Sequence, residues 1–192
     1  FSDQVEPSIV ALFYKNYYLK NSSLGDKLFF YKRIGPLIKY VNKANNIYFN
    51  YKLRKKNPDI IHLTYFNEKN FYPSKAKVVV TEYDLIKEKF YSEKYKDQIE
   101  YKRKLFQKVD QIICISNNTK KDLQNEYSID ASKISVIHLA VNKNKNFREK
   151  SLNIRPFILY VGLRERYKNF INVIKAYARS NKLKLDFDFV CF

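Results

Sequence analysis

Three cations follow a strand-like run in the stretch FILYVGLRERYKNFINVIKAYA. Arg164, Arg166 and Lys168 come shortly after Gly162, and a helix-like pattern begins behind them. Ligands of α/β sheets bind at the carboxyl ends of strands, and the free N–H groups of a helix N-terminus attract phosphate. Arg offers a fork to two phosphate oxygens, and Lys offers a movable point charge. The pattern predicts a diphosphate site, although solvated loop residues explain the arginine spacing equally well.

Polar side chains also follow two other strand-like runs, VVVTEYDLIKEKF and IICISNNTKKDL. Asp84 and Glu88 lie four residues apart after the first of these runs. A pair of carboxylates is suited to acid/base work. In a chain with so many lysines, surface ion pairing is the simpler interpretation of these two residues.

The common nucleotide-binding motifs are missing from this sequence. Glycine occurs only at positions 25, 35 and 162, so neither GxGxxG nor GxxxxGK[ST] is present. Any bound phosphates must be held mostly by side chains. Two His and two Cys form no cluster with metal-ligand spacing, and we predict no metal site and no cofactor.

The composition is that of a globular and strongly basic protein. The 192 residues are 45% hydrophobic, which is enough for a real core, and the formal net charge is +18. Such a charge suits nucleic acid, but the lysines are spread along the whole chain, and Lys, Asn, Ile, Tyr and Phe are all enriched together, as coding bias produces. We therefore expect no nucleic-acid partner. Anionic lipid headgroups are a third candidate partner.

Short runs rich in Val and Ile alternate with helical patterns. The runs are typical of buried strands and lie at 59–64, 77–81, 112–116, 133–138, 157–162 and 187–192. Helices are predicted at 36–55, 91–108 and 168–180, and a further helix is predicted to begin at 117–119, where Asn117, Asn118 and Thr119 supply capping side chains. The alternation predicts an α/β fold with a parallel sheet.

One segment has the composition of a linker. Residues 142–156, NKNKNFREKSLNIRP, are basic and rich in Asn, with hardly an apolar side chain. We predict a first domain at 1–141 and the beginning of a second domain at 157–192. The chain has no Met and ends inside a strand-like run, so we expect it to be an internal piece of a longer protein.

Two long segments together resemble a known family. KVDQIICISNNTKKDLQNEYSIDASKISVIHLAVN, followed by RPFILYVGLRERYKNFINVIKAYA, is similar to the centre of the group 1, or family 4, retaining glycosyltransferases of the GT-B fold. Upstream, PDIIHLTYFN and VVVTEYDLIKEKF resemble the mannosyltransferase-like branch in bacteria that builds surface polysaccharides. The similarity keeps the same order over about residues 58–178.

The resemblance implies a fold and a set of donor-binding residues. It implies two Rossmann-like domains, the first binding the acceptor and the second the nucleotide sugar. Arg164 and Lys168 fall on the positions that hold the donor diphosphate, with Gly162 and Asn169 beside them. We expect Arg164 and Lys168 to act in catalysis, because fixed cations stabilise the charge that builds up on a leaving diphosphate.

The resemblance also implies a cleft in the first domain. Tyr83 and Asp84 fall on the family's His-Asp turn, with Tyr in place of His. Glu88 falls on an acidic position and Ser116 on a strand-end Ser that lines the cleft. Leu163 stands where a second Gly often follows Gly162. Tyr83, Asp84, Glu88 and Ser116 are expected to contact the acceptor or line its cleft, whereas Leu163 belongs to the donor side, where the backbone is expected to approach the phosphates less closely.

The function implied is transfer of a sugar, guessed to be mannose-like, from a nucleoside diphosphate donor to a saccharide or lipid-linked acceptor with retention. The family's Gly-rich first loop and late glutamate pair are expected to lie beyond the ends of this chain, which alone is expected to be inactive. The expected location is the cytoplasm, peripheral on the inner face of the cell membrane. A non-catalytic scaffold of the same fold and a basic nucleic-acid-binding domain are the alternatives.

Overall fold

A computed structural model of the chain describes residues 6–15, 20, 23, 25–31, 35–66, 75–140, 155–164 and 166–192. The chain divides into two compact units, Phe1–Leu139 and Ala140–Phe192. All but the last two residues of the predicted linker at 142–156 lie outside the described residues. The domain bounds therefore stay a prediction.

The described residues form eight strands and six α-helices. The strands are β1 (Val10–Tyr14), β2 (Asp26–Phe30), β3 (Ile60–Leu63), β4 (Lys77–Glu82), β5 (Gln111–Cys114), β6 (Ile134–Val136), β7 (Phe157–Tyr160) and β8 (Asp188–Cys191). The helices are α1 (Ile38–Lys56), α2 (Ile86–Tyr91), α3 (Lys96–Lys108), α4 (Asn117–Tyr127), α5 (Phe170–Arg179) and α6 (Asn181–Asp186).

The first unit is built on a four-stranded parallel sheet with strand order β3-β4-β5-β6. Val80 of β4 lies opposite Leu63 of β3 and Ile112 of β5. Parallel strands require crossover connections, which α2 and α3 supply between β4 and β5, and α4 between β5 and β6. The predicted α/β fold with a parallel sheet is confirmed. The carboxyl ends of all four strands therefore lie along the same end of the sheet.

The core of the first unit lies between this sheet and its helices. Its most deeply buried side chains are apolar and come from strands β4 and β5, helices α3 and α4, and the residue that follows α3: Val80, Phe106, Val109, Ile112, Cys114 and Leu123. Burying a large apolar side chain contributes about 1.5–3 kcal/mol. The free thiol of Cys114 is part of this core, and burial raises its pKa to about 11. Packing in this core holds the strands, and so their carboxyl ends, in fixed positions.

A second small sheet in the first unit pairs β1 with β2 in parallel. Helix α1 is attached to it through Asn45, whose side-chain amide donates to the carbonyl of Phe13 and whose oxygen accepts from the Phe13 N–H. Gly25 precedes β2 with φ 75°, and a Cβ there would meet the backbone oxygen of Ile9 at 2.0 Å. Only glycine fits that position.

The second unit pairs β7 with β8 in parallel and packs α5 against them. The ring centroids of Phe170 on α5 and Tyr160 lie 4.7 Å apart, and those of Tyr177 and Phe189 lie 5.2 Å apart. The Tyr177 hydroxyl donates to the carbonyl of Phe187 at 2.9 Å. These aromatic contacts hold the connection between β7 and α5 in place.

Several elements differ from the prediction. Helix α3 begins at Lys96, because residues 92–95 form a turn that separates it from α2. Ser116 caps α4, with its Oγ accepting from the Thr119 N–H, so the proposed cap at 117–119 is one residue too late. Within the described ranges, no helix combines the length and the apolar character that crossing a membrane requires.

Candidate functional site

The turn after β4 is held from two sides. Glu82 is the last residue of β4, and Tyr83 and Asp84 follow it. The Asp84 carboxylate accepts from the N–H of Ile86, the first residue of α2, at 3.1 Å. The Thr119 hydroxyl on α4 donates to the carbonyl of Tyr83 at 3.2 Å. The turn is thus fixed to the start of α4 as well as to β4.

A cavity of about 60 Å³ opens at this turn, and we call it the β4 cavity. It is lined by charged and aromatic side chains: Tyr65, Phe66, Glu82, Tyr83, Asp84, Lys87, Glu88 and Lys102. Three of the four cleft residues predicted from the resemblance, Tyr83, Asp84 and Glu88, therefore lie around one cavity. It lies at the carboxyl end of β4, where α/β sheets bind ligands.

A buried ion cluster forms the floor of the β4 cavity. The Lys102 ammonium on α3 lies 3.0 Å from Glu82 Oε2 and 2.7 Å from Glu88 Oε1. Only 3% of the Lys102 and Glu88 side chains is exposed. Surface ion pairing is therefore the wrong interpretation of Glu88. One ammonium serves two carboxylates, so the fully ionised cluster carries one negative charge in excess.

The pKa values of Glu82 and Lys102 in this cluster both lie above their usual values. Burial raises the pKa of the Glu82 carboxyl to about 7, and the Lys102 ammonium opposes that rise. Burial lowers the pKa of Lys102, but the two carboxylates outweigh it, and its pKa lies above the usual value. Near neutral pH, a proton on Glu82 makes the cluster neutral.

Tyr127 of α4 completes the cluster. Its hydroxyl donates to Glu88 Oε1 at 2.6 Å, and burial together with this hydrogen bond raises the pKa of the phenol. Glu88 Oε1 thus accepts from both Lys102 and Tyr127, whereas Glu88 Oε2 is buried and has no hydrogen-bond partner in the described part of the chain. An ionised carboxylate is an acceptor only, so Oε2 needs a donor.

Two aromatic rings, those of Tyr65 and Phe66, also line the β4 cavity. Tyr65 and Phe66 stack with their centroids 4.6 Å apart, and Tyr65 is exposed. The Lys102 ammonium lies 5.2 Å and the Lys87 ammonium 5.4 Å from the Phe66 ring centroid. Lys87 also donates to Gln98 at 3.0 Å. The cavity therefore joins a flat apolar surface to buried carboxylates.

Ser116, the fourth predicted cleft residue, does not line the β4 cavity. Its hydroxyl accepts from the Thr119 N–H at 3.1 Å and lies 2.9 Å from the Thr119 hydroxyl. Since Thr119 in turn holds the Tyr83 carbonyl, Ser116 stabilises the turn indirectly. Its role in acceptor binding stays a prediction.

In the second unit, the predicted donor residues lie on the connection between β7 and α5. Gly162 adopts φ 131°, a conformation that favours glycine. The Arg164 guanidinium lies 5.4 Å from the Phe170 ring centroid, and the Lys168 ammonium lies 5.0 Å from that of Tyr167. Both cations are exposed. Aromatic rings orient them without neutralising their charge.

The start of α5 has the features of an anion site. Asn169 is its N-cap residue with φ 55°, and the Asn169 side chain makes no capping hydrogen bond. The first N–H groups of a helix have no partner within the helix and carry partial positive charge. Arg164 and Lys168 therefore flank a further source of positive potential.

Sequence reasoning missed three members of the cluster around Glu88: Glu82, Lys102 and Tyr127. A signal for Lys102 was present, since its spacing places it on the same side of α3 as the apolar Ile99 and Phe106. A lone Lys on a buried face requires an acidic partner. Its partners lie 20 and 14 residues earlier in the chain, and the fold brings them together.

The described residues hold no metal-binding cluster, and they form one larger groove away from the strand ends. No group of three or more His, Cys, Asp and Glu residues in this part of the chain is arranged to hold a metal ion. A larger open groove of about 450 Å³ runs along the first half of α3, lined by residues such as Glu93, Asp97 and Arg103. It does not adjoin the strand ends, so it adds nothing to the site.

One known family and one solved structure are similar to this chain. The family model described as Glycosyltransferase Family 4 matches residues 4–145. The comparison with curated proteins found no match. The crystal structure of a glycosyltransferase from Rickettsia africae ESF-5 is similar, with a TM-score of 0.43 and 19% sequence identity over 86% of this chain and 55% of that one. The chain thus spans about half the length of that solved protein.

The fold is α/β with Rossmann-like parallel sheets. Because the family model covers most of the chain, the chain belongs to Glycosyltransferase Family 4.

Proposed function

We propose that this chain is part of a retaining glycosyltransferase that moves a hexose, of mannose type, from a nucleoside diphosphate sugar to a saccharide or lipid-linked acceptor. The family match over residues 4–145 is the observation that carries this proposal. The proposed setting is the synthesis of cell-surface polysaccharide in the cytoplasm. No cofactor beyond the donor substrate is part of the proposal.

The second unit supplies the donor chemistry in this proposal. Breaking the bond between sugar and diphosphate builds negative charge on the leaving group, and fixed cations stabilise that charge. Arg164 offers two parallel N–H donors to phosphate oxygens, and Lys168 adds a point charge. Arg164 and Lys168 lie between β7 and the N-terminus of α5 in the chain, and that N-terminus, which has no side-chain cap, favours an anion.

The first unit supplies the acceptor side. Carboxylates and aromatic rings lie together at the β4 cavity, and such groups suit the hydroxyls and the apolar faces of a sugar. Tyr83 and Asp84 at the turn are proposed to contact the acceptor. Glu88 is buried in an ion cluster, so its role is to accept hydrogen bonds in a fixed position.

A peripheral contact with an anionic membrane is part of the proposal and is supported by α1. Tyr40, Ile47 and Tyr51 are exposed and follow the spacing of one helix side. Lys39 and Lys43 are exposed on the same helix. Each cation near an anionic bilayer contributes about 1 kcal/mol. Co-sedimentation with phosphatidylserine vesicles, compared with phosphatidylcholine vesicles, tests this contact.

The experiment that tests the proposed function is an assay of the full-length protein. It is incubated with a panel of nucleoside diphosphate sugars, and release of the nucleotide is measured with and without saccharide and lipid-linked acceptors. Release with one donor, and a product of unchanged anomeric configuration by NMR, supports the proposal. No release with any donor favours a non-catalytic scaffold, and tight, steeply salt-dependent binding of duplex DNA or RNA favours a nucleic-acid role.

A further inference from the structure

We propose that Lys102 is a positioning residue of the acceptor side. By binding Glu82 and Glu88 at once, it keeps the turn between them in one shape. That turn carries Tyr83 and Asp84, the two residues proposed to contact the acceptor, so this inference rests on the proposed function. Only 3% of the Lys102 side chain is exposed, so Lys102 acts through the turn and not by touching substrate.

The first step is the place of Lys102 relative to the turn. Its ammonium lies 3.0 Å from Glu82 Oε2, at the end of β4, and 2.7 Å from Glu88 Oε1, on α2. Glu82 comes directly before Tyr83, and Glu88 follows a few residues after Asp84. One cation on α3 therefore binds both sides of the turn, and its loss releases both.

The second step is the exposure of the side chains along the turn. Glu82 and Leu85 are buried, and Leu85 belongs to the apolar core of the first unit. Between them, Tyr83 is half-buried and Asp84 is exposed. The two residues proposed to meet the acceptor thus lie between two anchored ones. The anchor on the β4 side is a carboxylate, and a buried carboxylate needs a charged or hydrogen-bonding partner.

The third step is a contact of Lys102 with the neighbouring strand. The Lys102 ammonium lies 5.2 Å from the ring centroid of Phe66, which follows β3, and 5.7 Å from that of Phe106 on α3. An ammonium is attracted to the face of an aromatic ring, most strongly where water is excluded. Lys102 therefore joins the segments at the carboxyl ends of two adjacent strands, β3 and β4.

The fourth step is the difference between charged and apolar packing. Apolar side chains of similar volume often replace a buried ion cluster without loss of stability, so stability alone does not require charges at this place. An ammonium differs because it binds a carboxylate in a hydrogen bond of defined length and direction. The cluster around Lys102 therefore gives the turn a defined geometry.

Hydrogen exchange of the full-length protein tests this geometry without any ligand. Mass spectrometry follows the peptide that contains residues 82–88 in the wild type, in Lys102→Met and in Leu53→Ala. Leu53 is buried in the same core but lies on α1, and its truncation should destabilise the protein to a comparable extent. We expect the peptide to exchange at least about tenfold faster in Lys102→Met than in Leu53→Ala.

Kinetics of the full-length protein separate positioning from a loss of folded protein, because a smaller folded fraction lowers kcat and leaves KM unchanged. The acceptor probes are octyl glycosides of glucose, galactose and mannose, used with the nucleoside diphosphate sugar that the wild type cleaves. In Lys102→Met we expect the KM for the acceptor to rise at least about tenfold. Nucleotide release without acceptor should stay within about twofold of wild type, and Leu53→Ala should keep the wild-type KM.

Glu88→Met keeps the test decisive where Lys102→Met does not fold. It leaves one ammonium facing one carboxylate, so no buried charge is uncompensated, yet it releases α2 from Lys102. Glu88 Oε1 already accepts from Lys102 and Tyr127, and Oε2 is buried, so the substitution removes no substrate contact. The same changes in exchange and in acceptor KM are expected.

Three results overturn the inference: equal exchange of the 82–88 peptide in Lys102→Met and Leu53→Ala, an equal acceptor KM in these two variants, or a parallel loss of nucleotide release without acceptor in Lys102→Met. The outcome is separate from that of the proposed function. A wild type that releases no nucleotide contradicts the transferase activity, and the exchange experiment then decides the positioning role. Turnover by the wild type together with equal exchange contradicts the positioning role alone.

Discussion

The ammonium of Lys102 on α3 lies 2.7 Å from Glu88 Oε1 on α2, and both side chains are almost completely buried. The same ammonium reaches Glu82 at the end of β4, 3.0 Å away. One lysine thus connects a strand of the central sheet with both helices of its crossover. It stabilises the edge of the sheet at which the candidate site lies.

Lys102→Met should destabilise the protein strongly. The substitution leaves two buried carboxylates without their cation, and breaking a buried ion pair in this way costs about 3–5 kcal/mol. Urea denaturation at pH 8 measures the free energy of unfolding. Lys104→Met is the control, because Lys104 pairs with Glu100 on the exposed side of the same helix and should change stability by less than about 0.5 kcal/mol. Equal effects of the two substitutions would contradict the buried cluster.

The stability of the protein should depend on pH through Glu82. Its folded-state pKa of about 7 lies above the ordinary 4.5, so the folded protein holds this proton more tightly than the unfolded chain does. The stabilisation is fully present below about pH 4.5 and is lost as pH rises through 7, by up to about 3 kcal/mol. The charges that face Glu82 are those of Lys102, Glu88 and Asp84.

Urea unfolding at several pH values between 5 and 8 measures this dependence. Glu82→Gln removes the titrating group, so the free energy of unfolding of the variant should vary less over that range. Glu100→Gln changes an exposed carboxylate on α3 and should keep the wild-type dependence. The prediction fails if Glu82→Gln and the wild type lose stability in parallel.

Tyr127→Phe should also destabilise the cluster. It removes the hydroxyl that donates to Glu88 Oε1 at 2.6 Å, and a hydrogen bond to a charged group contributes about 1.5–3 kcal/mol. Chemical denaturation measures the loss. Tyr40→Phe, at an exposed position on α1, should stay within about 0.5 kcal/mol of wild type. A wild-type value for Tyr127→Phe would mean that the phenol contributes nothing to holding Glu88.

Tyr83→Phe tests the acceptor contact at the turn after β4. Thr119 holds the backbone carbonyl of Tyr83, so the turn should survive the loss of the phenol hydroxyl. Losing one hydrogen bond to substrate, worth about 1 kcal/mol, should raise the KM for the acceptor about fivefold. Steady-state kinetics with varied acceptor measure this, with Tyr48→Phe on α1 as the control. Unchanged acceptor kinetics would exclude the hydroxyl from the site.

Much of the fold could be predicted because its strands are short runs rich in Val and Ile, bounded by turn signals. The run VVVT could only be a short buried strand or a buried helix segment, and the turn signals around it decided between them. Strands β1 and β2 were not predicted. Their residues, VALFY and DKLFF, are short and mix apolar with polar or aromatic side chains.

The candidate site was readable only in part. The resemblance led to Tyr83, Asp84 and Glu88, which line one cavity. The burial of Glu88 was not readable, because it depends on Lys102 and Tyr127, which lie 14 and 39 residues away in the chain. The cap at Ser116 was also missed, because the Thr and Asn residues that follow it are equally good capping residues.

The proposed donor-diphosphate site is tested most directly by the rate of nucleotide release in the full-length protein. The rate is measured for Arg164→Ala and Lys168→Ala with the preferred nucleoside diphosphate sugar of the wild type. Both cations are exposed, so their loss should leave the fold intact. We predict that each substitution lowers turnover at least about tenfold, because the leaving diphosphate loses a stabilising charge. Lys175→Ala, which removes an exposed cation farther along α5, should keep wild-type turnover. Wild-type kinetics for both Arg164→Ala and Lys168→Ala would contradict the donor-diphosphate site.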